Sequence, residues 1–169
     1  MNLSMSWLKD YVDVEADIKD YVEDITLSGS KVEGYTIIAG DIKNVVVGKV
    51  LSIEKHPDAD KLVVTKIDVG DGEPLQIVTG AKNLYVGAYV PVALSGSTLA
   101  NGVKIKKGKL RGVESNGMLC SVEELGCDRH DFPEAPENGI YIFPNEEKLG
   151  ADVVDVMDLK DEAVEFEIT

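Results

Sequence analysis

The densest group of side chains that could bind a ligand is a run of lysines late in the chain. Residues 104–111, with the sequence KIKKGKLR, hold five cations in eight positions. Apolar and basic residues alternate there, which predicts a strand with Lys104 and Lys106 on its solvent face, extended by Lys109 and Arg111. Such a face suits a polyanion, because each neutralised phosphate releases counterions. A solvated edge strand, whose lysines discourage aggregation, explains the pattern equally well, and both interpretations stay open.

Charge is distributed unevenly along the chain. The 169 residues carry a formal net charge of −14 at pH 7. From Lys43 to Arg111 there are 11 Lys and Arg residues against 6 Asp and Glu, whereas the remainder has 6 against 25. The central segment is therefore basic enough for a nucleic-acid partner. The acidic flanks are expected to face a protein partner or to keep the chain soluble.

Composition bounds the class of protein. Hydrophobic residues make up 44% of the chain and charged residues 28%, which is typical of a globular protein. The sequence contains no apolar run near the roughly 20 residues that a membrane span needs, so no membrane partner is expected. The N-terminus is acidic and lacks the apolar core of a secretory signal, which makes the cytoplasm the expected compartment.

The first part of the chain has helical periodicity. Within residues 4–29, Ser6 is predicted to cap a short turn, and Trp7 and the tyrosines are expected to pack in the core. Asp17 can cap a second helix with an apolar face, and Gly29 can end that helix.

From Val32 the pattern changes to short β-branched runs separated by turn residues. Five or so such strands within about 80 residues predict a small closed barrel of the OB type. The clearest predicted strands are Val45–Ile53, Leu62–Val69, Leu75–Thr79 and Tyr89–Leu94.

The last third of the chain is predicted to contain both helices and strands. A helical stub, a strand, a helix and a final strand are expected at Val122–Leu125, Ile140–Phe143, Leu149–Met157 and Ala163–Ile168. The acidic ends can pair with each other, which would leave the basic barrel as an insertion between them. The fold class is thus mainly β with α/β flanks, an OB-type β-barrel inserted into a small α+β N-terminal domain. The predicted domains are 1–39, 40–148 and the returning segment 149–169.

Two sets of residues raise the question of catalysis or metal binding. His56-Pro57-Asp58 interrupts two strands, and Pro57 with a self-bonding Asp58 side chain predicts a turn. We prefer this turn to a catalytic His–Asp pair or a metal site, since no nucleophile accompanies the histidine. Cys120, Cys127 and His130 give a C-x6-C-x2-H spacing that matches no structural zinc site, and Cys120 is expected to be a buried small residue.

A polar segment follows the lysine run. Asn116-Gly117 suits a turn with positive φ, and Ser121 can cap a short helix with Glu124 completing a capping box. The side chains of Asn116 and Ser121 could also donate hydrogen bonds to phosphate oxygens.

Aromatic residues are scarce in the basic segment. Between Lys43 and Arg111 the only ones are Tyr85 and Tyr89. Single-stranded nucleic acids usually need more stacking platforms than this. Recognition of a folded RNA through its shape and backbone is therefore the better expectation.

Several segments in this order resemble a known domain. They are VVGKV at 46–50, HPDADKL at 56–62, QIVTGAKN at 76–83, KLRGVESNGMLCS at 109–121 and ELG at 124–126. Together they resemble the tRNA-binding OB domain shared by synthetase-associated cofactors, methionyl-tRNA synthetase C-termini and phenylalanyl-tRNA synthetase β subunits. The flanks LSMSWLKDYV at 3–12, LSGSKVE at 27–33 and VEFEIT at 164–169 are similar to the N-terminal region of the bacterial β subunits.

The resemblance implies a function and a set of binding residues. It implies a non-catalytic tRNA-binding module, with tRNA, the α subunit and the other β-subunit domains as partners. The intact subunit continues for several domains, so we expect a fragment without a cofactor of its own, whose whole enzyme uses ATP and Mg²⁺ and catalyses and edits elsewhere. The candidate tRNA-binding residues are Lys82, Asn83, Lys104, Lys106, Lys107, Lys109, Arg111, Ser115, Asn116 and Ser121.

Two other functions compete with tRNA binding. In an assembly module the acidic face would dock on other synthetase domains and the barrel would hardly touch RNA. An independent small enzyme is disfavoured, because the sequence has no nucleophile–base pair, Gly-rich phosphate loop or metal cluster.

Overall fold

The computed structural model describes residues 1–168, with the backbone only at Asn101. The chain forms two compact units, Met1–Gly40 with the segment from Leu159 onward, and Asp41–Asp158. In sequence the second unit is inserted into the first. Residues 149–158, expected in the returning segment, belong to the second unit, and Thr169 at the end of that segment lies outside the described residues.

The secondary structure is mostly β. Three α-helices are described, α1 (Met5–Lys9), α2 (Ile18–Leu27) and α3 (Val153–Val156). The strands are β1 (Asn2–Ser4), β2 (Val32–Ile38), β3 (Lys43–Lys55), β4 (Val63–Asp68), β5 (Leu75–Thr79), β6 (Tyr89–Thr98), β7 (Gly108–Leu110), β8 (Val113–Ser115), β9 (Gly117–Leu119) and β10 (Asp161–Phe166). In the described part of the chain, no helix is long and apolar enough to cross a membrane.

The first unit is a three-stranded antiparallel sheet, in the order β1-β10-β2, with α1 and α2 packed against it. Its buried centre is formed by Met5, Ile18 and Val164. Asp17 caps α2 as predicted, because its carboxylate accepts the N–H groups of Lys19 and Asp20.

Two expectations for the first helix were wrong. Ser4 rather than Ser6 caps α1, since it ends β1 in an extended conformation and its Oγ accepts the Trp7 N–H at 3.1 Å. Trp7 and Tyr11 are not core residues, because 56% and 71% of their surfaces are exposed. A helix of five residues buries only one face, and Met5 occupies it.

The second unit contains a five-stranded sheet in the order β5-β4-β3-β6-β9, which nearly closes on itself. Closure comes from the Asn116 N–H, which donates to the Gln76 carbonyl of β5 at 2.8 Å. This connectivity is that of an OB-type barrel, as predicted. Leu75–Thr79 matches its predicted bounds, whereas β3 and β6 run further than expected.

Branched and aliphatic side chains fill the barrel. Its centre contains fully buried residues from each of the long strands, and burial of one such side chain contributes about 1.5–3 kcal/mol. The largest are Val50, Ile67, Ile77, Val90, Val92 and Leu119.

The Asn116-Gly117 pair does not form a positive-φ turn, contrary to the prediction. Gly117 starts β9 beside β6, and a Cβ atom there would lie 2.5 Å from the Ala93 carbonyl oxygen. A glycine is therefore needed for the close approach of two strands rather than for an unusual backbone angle.

The segment after β9 is less regular than predicted. Residues 140–143 are assigned no strand, although the Tyr141 N–H donates to the Cys120 carbonyl and the Phe143 N–H to that of Tyr89. The predicted helix at 149–157 shrinks to α3, which Asp152 caps. Residues before Asp152 instead hydrogen-bond to β3, since Gly150 donates to Val47 and Val47 to Ala151.

Replacement of Gly117 by alanine should destabilise the barrel. The new methyl group meets backbone that cannot move aside, so we expect the free energy of unfolding to fall by about 1–3 kcal/mol in urea denaturation. Gly108→Ala is the matched control, because a Cβ atom at Gly108 meets no atom within 4 Å. Equal stability of the two variants would contradict the close-approach explanation.

Candidate nucleic-acid interface

The lysine-rich segment forms a hairpin rather than the single long strand predicted. Strands β7 and β8 pair through Gly108–Ser115, Lys109–Glu114 and Leu110–Val113. Arg111 and Gly112 connect them with φ values of +51° and +85°, as in the two-residue turns whose twist matches a hairpin. The positive φ values of this region thus lie at Arg111-Gly112, where the chain reverses.

The residues before the hairpin follow the end of β6. Ile105 accepts the Gly96 N–H at 2.7 Å and donates to the Ser97 carbonyl at 2.9 Å. Ile105 is half-buried, while Lys104 and Lys106 on either side of it are exposed. The predicted alternation therefore holds over these three residues, although only one isolated bridge, Thr98 to Lys104, forms.

The five cations of the segment point to solvent. Lys104, Lys106, Lys107, Lys109 and Arg111 are all exposed. Within residues 1–168, the ion pairs are Lys31–Glu167 and Arg129–Glu137, and none involves these five side chains. Their charge is therefore available to an external anion.

Two open grooves flank the hairpin. One, of ≈ 230 Å³, is lined by the apolar residues Val78 and Met118 together with Lys104, Lys106 and Lys109. The other, of ≈ 400 Å³, is lined by Lys107, Gly108, Lys109, Glu114 and Asn116. Lysines on both sides can contact phosphates of a nucleic-acid backbone that runs past the hairpin.

Ser115 and Asn116 have different environments. Ser115 is buried, and its Oγ accepts the Val78 N–H at 3.1 Å and donates to the Gly117 carbonyl at 3.0 Å. It therefore joins β5 to the hairpin, and its single hydroxyl proton is already donated and is not available to a phosphate oxygen. The Asn116 side chain lines the larger lysine groove, so it can reach an external acceptor.

Other predicted site residues lie outside the two lysine grooves. The Asn83 amide is engaged in the protein, since it donates to the Ile140 carbonyl at 2.8 Å and accepts the Ile140 N–H at 3.2 Å. Its neighbour Lys82 is exposed. Neither residue lines a groove of the hairpin.

Ser121 forms the predicted capping box. Its N–H donates to the Glu124 carboxylate at 2.7 Å, and its Oγ accepts the Glu124 N–H at 3.4 Å. The helix is a single 3₁₀ turn, Glu123–Leu125. Ser121 lines a separate cavity of ≈ 630 Å³ that also contains Glu123 and Glu137, a surface that repels phosphate.

Sequence reasoning missed the role of Gln76. Its side chain donates to the Glu114 carbonyl at 2.9 Å and accepts from Lys66 at 3.0 Å, so it supports β8 from the barrel wall. No periodicity marks such a residue, because its partner is 38 positions away.

His56 also had an unexpected environment. The residue is only 5% exposed, and its ring contacts the Leu110 carbonyl through Nε2 at 2.9 Å. Its Nδ1 accepts the Asp58 N–H at 3.0 Å. The predicted turn is present, but the histidine ring holds it through the backbone of Asp58, rather than the Asp58 side chain.

The cysteines are not brought together with His130 in a metal cluster. The described residues that could share an ion are Asp128, His130 and Asp131, all exposed. Asp128 already accepts the N–H groups of His130 and Asp131 at 2.7 and 3.1 Å, which explains the cluster as a local turn.

Cys120 is buried, as expected for a small core residue. Burial, followed by the nearby Glu124 carboxylate, raises the pKa of its thiol to about 12. Burial and the carboxylates of Asp131 and Asp128 also raise the pKa of Cys127. A neutral thiol is a poor nucleophile, so neither group is prepared for covalent catalysis.

The fold and the exposed cations define an OB-type barrel with a cationic hairpin, the name used below for residues 104–115, which comprise β7, β8 and the lysines that precede them. A sequence model described as "Putative tRNA binding domain" matches residues 45–152, and the chain belongs to this tRNA-binding-domain family. The match covers almost all of the barrel unit and includes the whole lysine segment.

Curated relatives resemble the entire chain. The phenylalanine–tRNA ligase beta subunits of Clostridium tetani and Clostridium acetobutylicum are 49% and 50% identical over all 169 residues. The chain spans 21% of the length of each, in the N-terminal region.

Two solved structures resemble part of the fold. The C-terminal domain of Plasmodium vivax p43 is 27% identical, with a TM-score of 0.45 over 67% of this chain and 64% of that one. The MetRS related protein from Pyrococcus horikoshii is 22% identical, with a TM-score of 0.42 over 83% and 97%. At TM-scores below 0.5 these likenesses have no weight in the assignment.

Ser115 and Asn116 should respond differently to truncation. Ser115→Ala leaves the buried Val78 N–H without an acceptor, so we expect the free energy of unfolding to fall by about 1–3 kcal/mol. Asn116→Ala should change it by less than about 0.5 kcal/mol. Urea denaturation measures both, and similar losses would show that Asn116 is also structural.

The cysteines should differ in their reaction with a thiol reagent. At pH 8 we expect Cys127 to react slowly and Cys120 to react only after unfolding, with Cys120→Ala and Cys127→Ala identifying each phase.

The buried thiol of Cys120 should also make stability depend on pH. In the unfolded chain a cysteine ionises at about pH 8.5. The folded Cys120 keeps its proton up to a pKa of about 12. Its contribution to the free energy of unfolding is therefore fully present below about pH 8.5 and is lost as the pH rises from there towards the folded pKa. Urea denaturation of the wild type and of Cys120→Ala at pH 8 and pH 10 would detect the loss.

Proposed function

We propose that this chain binds tRNA through the cationic hairpin and is a non-catalytic module of a phenylalanine–tRNA ligase beta subunit. The observation that carries the proposal is the group of five exposed cations on the barrel without an acidic partner among residues 1–168. The family of the barrel and the 49% identity to a ligase subunit over all 169 residues of this chain support the choice of tRNA over another polyanion.

The hairpin favours recognition of the RNA backbone. Its lysines are flexible point charges that neutralise phosphates without reading bases. Of the two tyrosines in the basic segment, Tyr85 is exposed, and Tyr89 is half-buried with Lys49 at 5.6 Å from its ring. Few flat surfaces remain for stacking, so a folded RNA suits this face better than a single strand.

In the whole enzyme the catalytic and editing sites, ATP and Mg²⁺ would lie outside this segment. The α subunit and the remaining β-subunit domains would be its protein partners in the cytoplasm. The hairpin would then hold or guide tRNA while another part of the enzyme performs the acyl transfer.

An assembly role is the second candidate, because the first unit exposes aromatic side chains. Trp7 and Tyr11 lie with ring centroids 5.0 Å apart and are more than half exposed. Aromatic residues of this kind often anchor protein interfaces. The same unit carries 4 basic residues against 12 acidic ones, which favours a basic protein surface over RNA.

Charge reversal separates the two functions. Lys106→Glu/Lys107→Glu should lower the affinity for tRNA by roughly tenfold or more and reduce its dependence on salt, because fewer counterions are released. Fluorescence anisotropy with tRNA at low and moderate salt measures both, and single-stranded DNA tests the preference for folded RNA. The double variant should still assemble with the other subunit of the ligase.

Lys9→Glu/Lys19→Glu is the matched control, since it gives the same net charge on exposed lysines of the first unit. It should bind tRNA within about twofold of the wild type if contact is confined to the hairpin. Failure of the wild type to bind at low salt would favour the assembly role.

A further inference from the structure

The cationic hairpin is attached to the barrel differently at its two strands. On the β8 side, Gln76 donates to the Glu114 carbonyl, Ser115 accepts from Val78, and Asn116 donates to the Gln76 carbonyl. These bonds hold β8 against β5. Strand β7 carries Lys109 and leads into Arg111. It is held by its pairing with β8, by the bonds of Ile105 to the end of β6 three residues upstream, and by any contact of its own.

His56 supplies such a contact. It follows the end of β3, 54 residues from Leu110, and its Nε2 lies 2.9 Å from the Leu110 carbonyl oxygen. Since Nδ1 accepts the Asp58 N–H, the ring proton must be on Nε2, where it is donated to Leu110. Both ring nitrogens are therefore used, and the ring orientation is fixed at each side.

The geometry points to His56 as a positioning residue for tRNA binding, which fixes the cationic hairpin on the barrel through the Leu110 carbonyl. This role rests on the proposed function and adds to it a residue that itself contacts no RNA. His56 is only 5% exposed whereas Leu110 is 45% exposed, so the hydrogen bond is partly shielded from water, and losing it would leave the buried imidazole N–H without a partner.

Fixing the hairpin affects the affinity for tRNA by reducing the conformational freedom that is lost on binding, rather than by changing the charge. Leu110 is directly followed by Arg111 and preceded by Lys109, so the bond acts beside two of the five cations. A hairpin held in one position loses less conformational freedom when it binds. Loosening it should weaken binding while leaving the number of lysines, and hence the number of possible phosphate contacts, unchanged.

Two substitutions of His56 test the role, because each retains one of its two bonds. His56→Asn can still accept the Asp58 N–H, but its short side chain does not reach Leu110. His56→Gln can extend an N–H group to the Leu110 carbonyl. We expect His56→Asn to lower the affinity for tRNA by about three- to tenfold and His56→Gln to stay within about twofold of the wild type.

Two further measurements distinguish a positioning role of His56 from a general loss of stability in the variant. Backbone ¹⁵N relaxation should show greater mobility in His56→Asn at residues 108–115 and no change in β3 to β6. The salt dependence of binding should remain that of the wild type, unlike that of the lysine reversal. Asp58→Glu is the control, because it keeps both the backbone N–H and the charge, and it should behave as the wild type does.

The positioning role is overturned if His56→Asn binds tRNA as tightly as the wild type, or if His56→Gln is as weak as His56→Asn. It is also overturned if the mobility at residues 108–115 is the same in all three proteins. A wild-type chain that does not bind tRNA would defeat the proposed function instead. The relaxation measurement would then still decide whether His56 fixes the hairpin.

Discussion

The closure of the barrel at β5 is the constraint on which the rest of the second unit depends. One backbone bond, from Asn116 to Gln76, and two side-chain bonds, from Val78 to Ser115 and from Gln76 to Glu114, join the last part of the barrel to β5. Without them β5 would be an open edge, and its unpaired backbone groups would face water or another chain. The same bonds also set the base of the cationic hairpin, so the stability of the barrel and the placement of its charges share a cause.

The charge of this protein is separated by unit. The first unit carries 4 basic and 12 acidic residues, whereas five cations lie within eight residues of the second. A net charge of −14 therefore describes neither surface. Short-range contacts with phosphate depend on local charge, because charges more than about 10 Å away are largely screened at ordinary salt. A strongly acidic chain can present a surface suited to RNA for this reason.

Sequence reasoning was most reliable where a local pattern has one physical cause. Leu75–Thr79 appeared as predicted, since β-branched residues in a short run bounded by turn residues are enriched in strands. The cap at Asp17 and the capping box at Ser121 also appeared, because each depends on residues three positions apart or fewer. The lysine run was recognised, but its division into a bridge and a hairpin was not, because Arg111-Gly112 is not one of the Asn-Gly or Asp-Gly pairs that mark a two-residue hairpin turn in sequence.

The sequence by itself determined the kind of fold, the order of its elements and the segment that holds the cations. Tertiary structure decided which candidate residues remain available to a ligand. Ser115 and Asn83 use their polar atoms within the protein, and His56 connects two segments 54 residues apart. Such contacts cannot be inferred from residue type, because a hydroxyl, amide or imidazole has the same chemistry on a surface as in a core. What differs is the set of neighbours, which exists only after the barrel has closed.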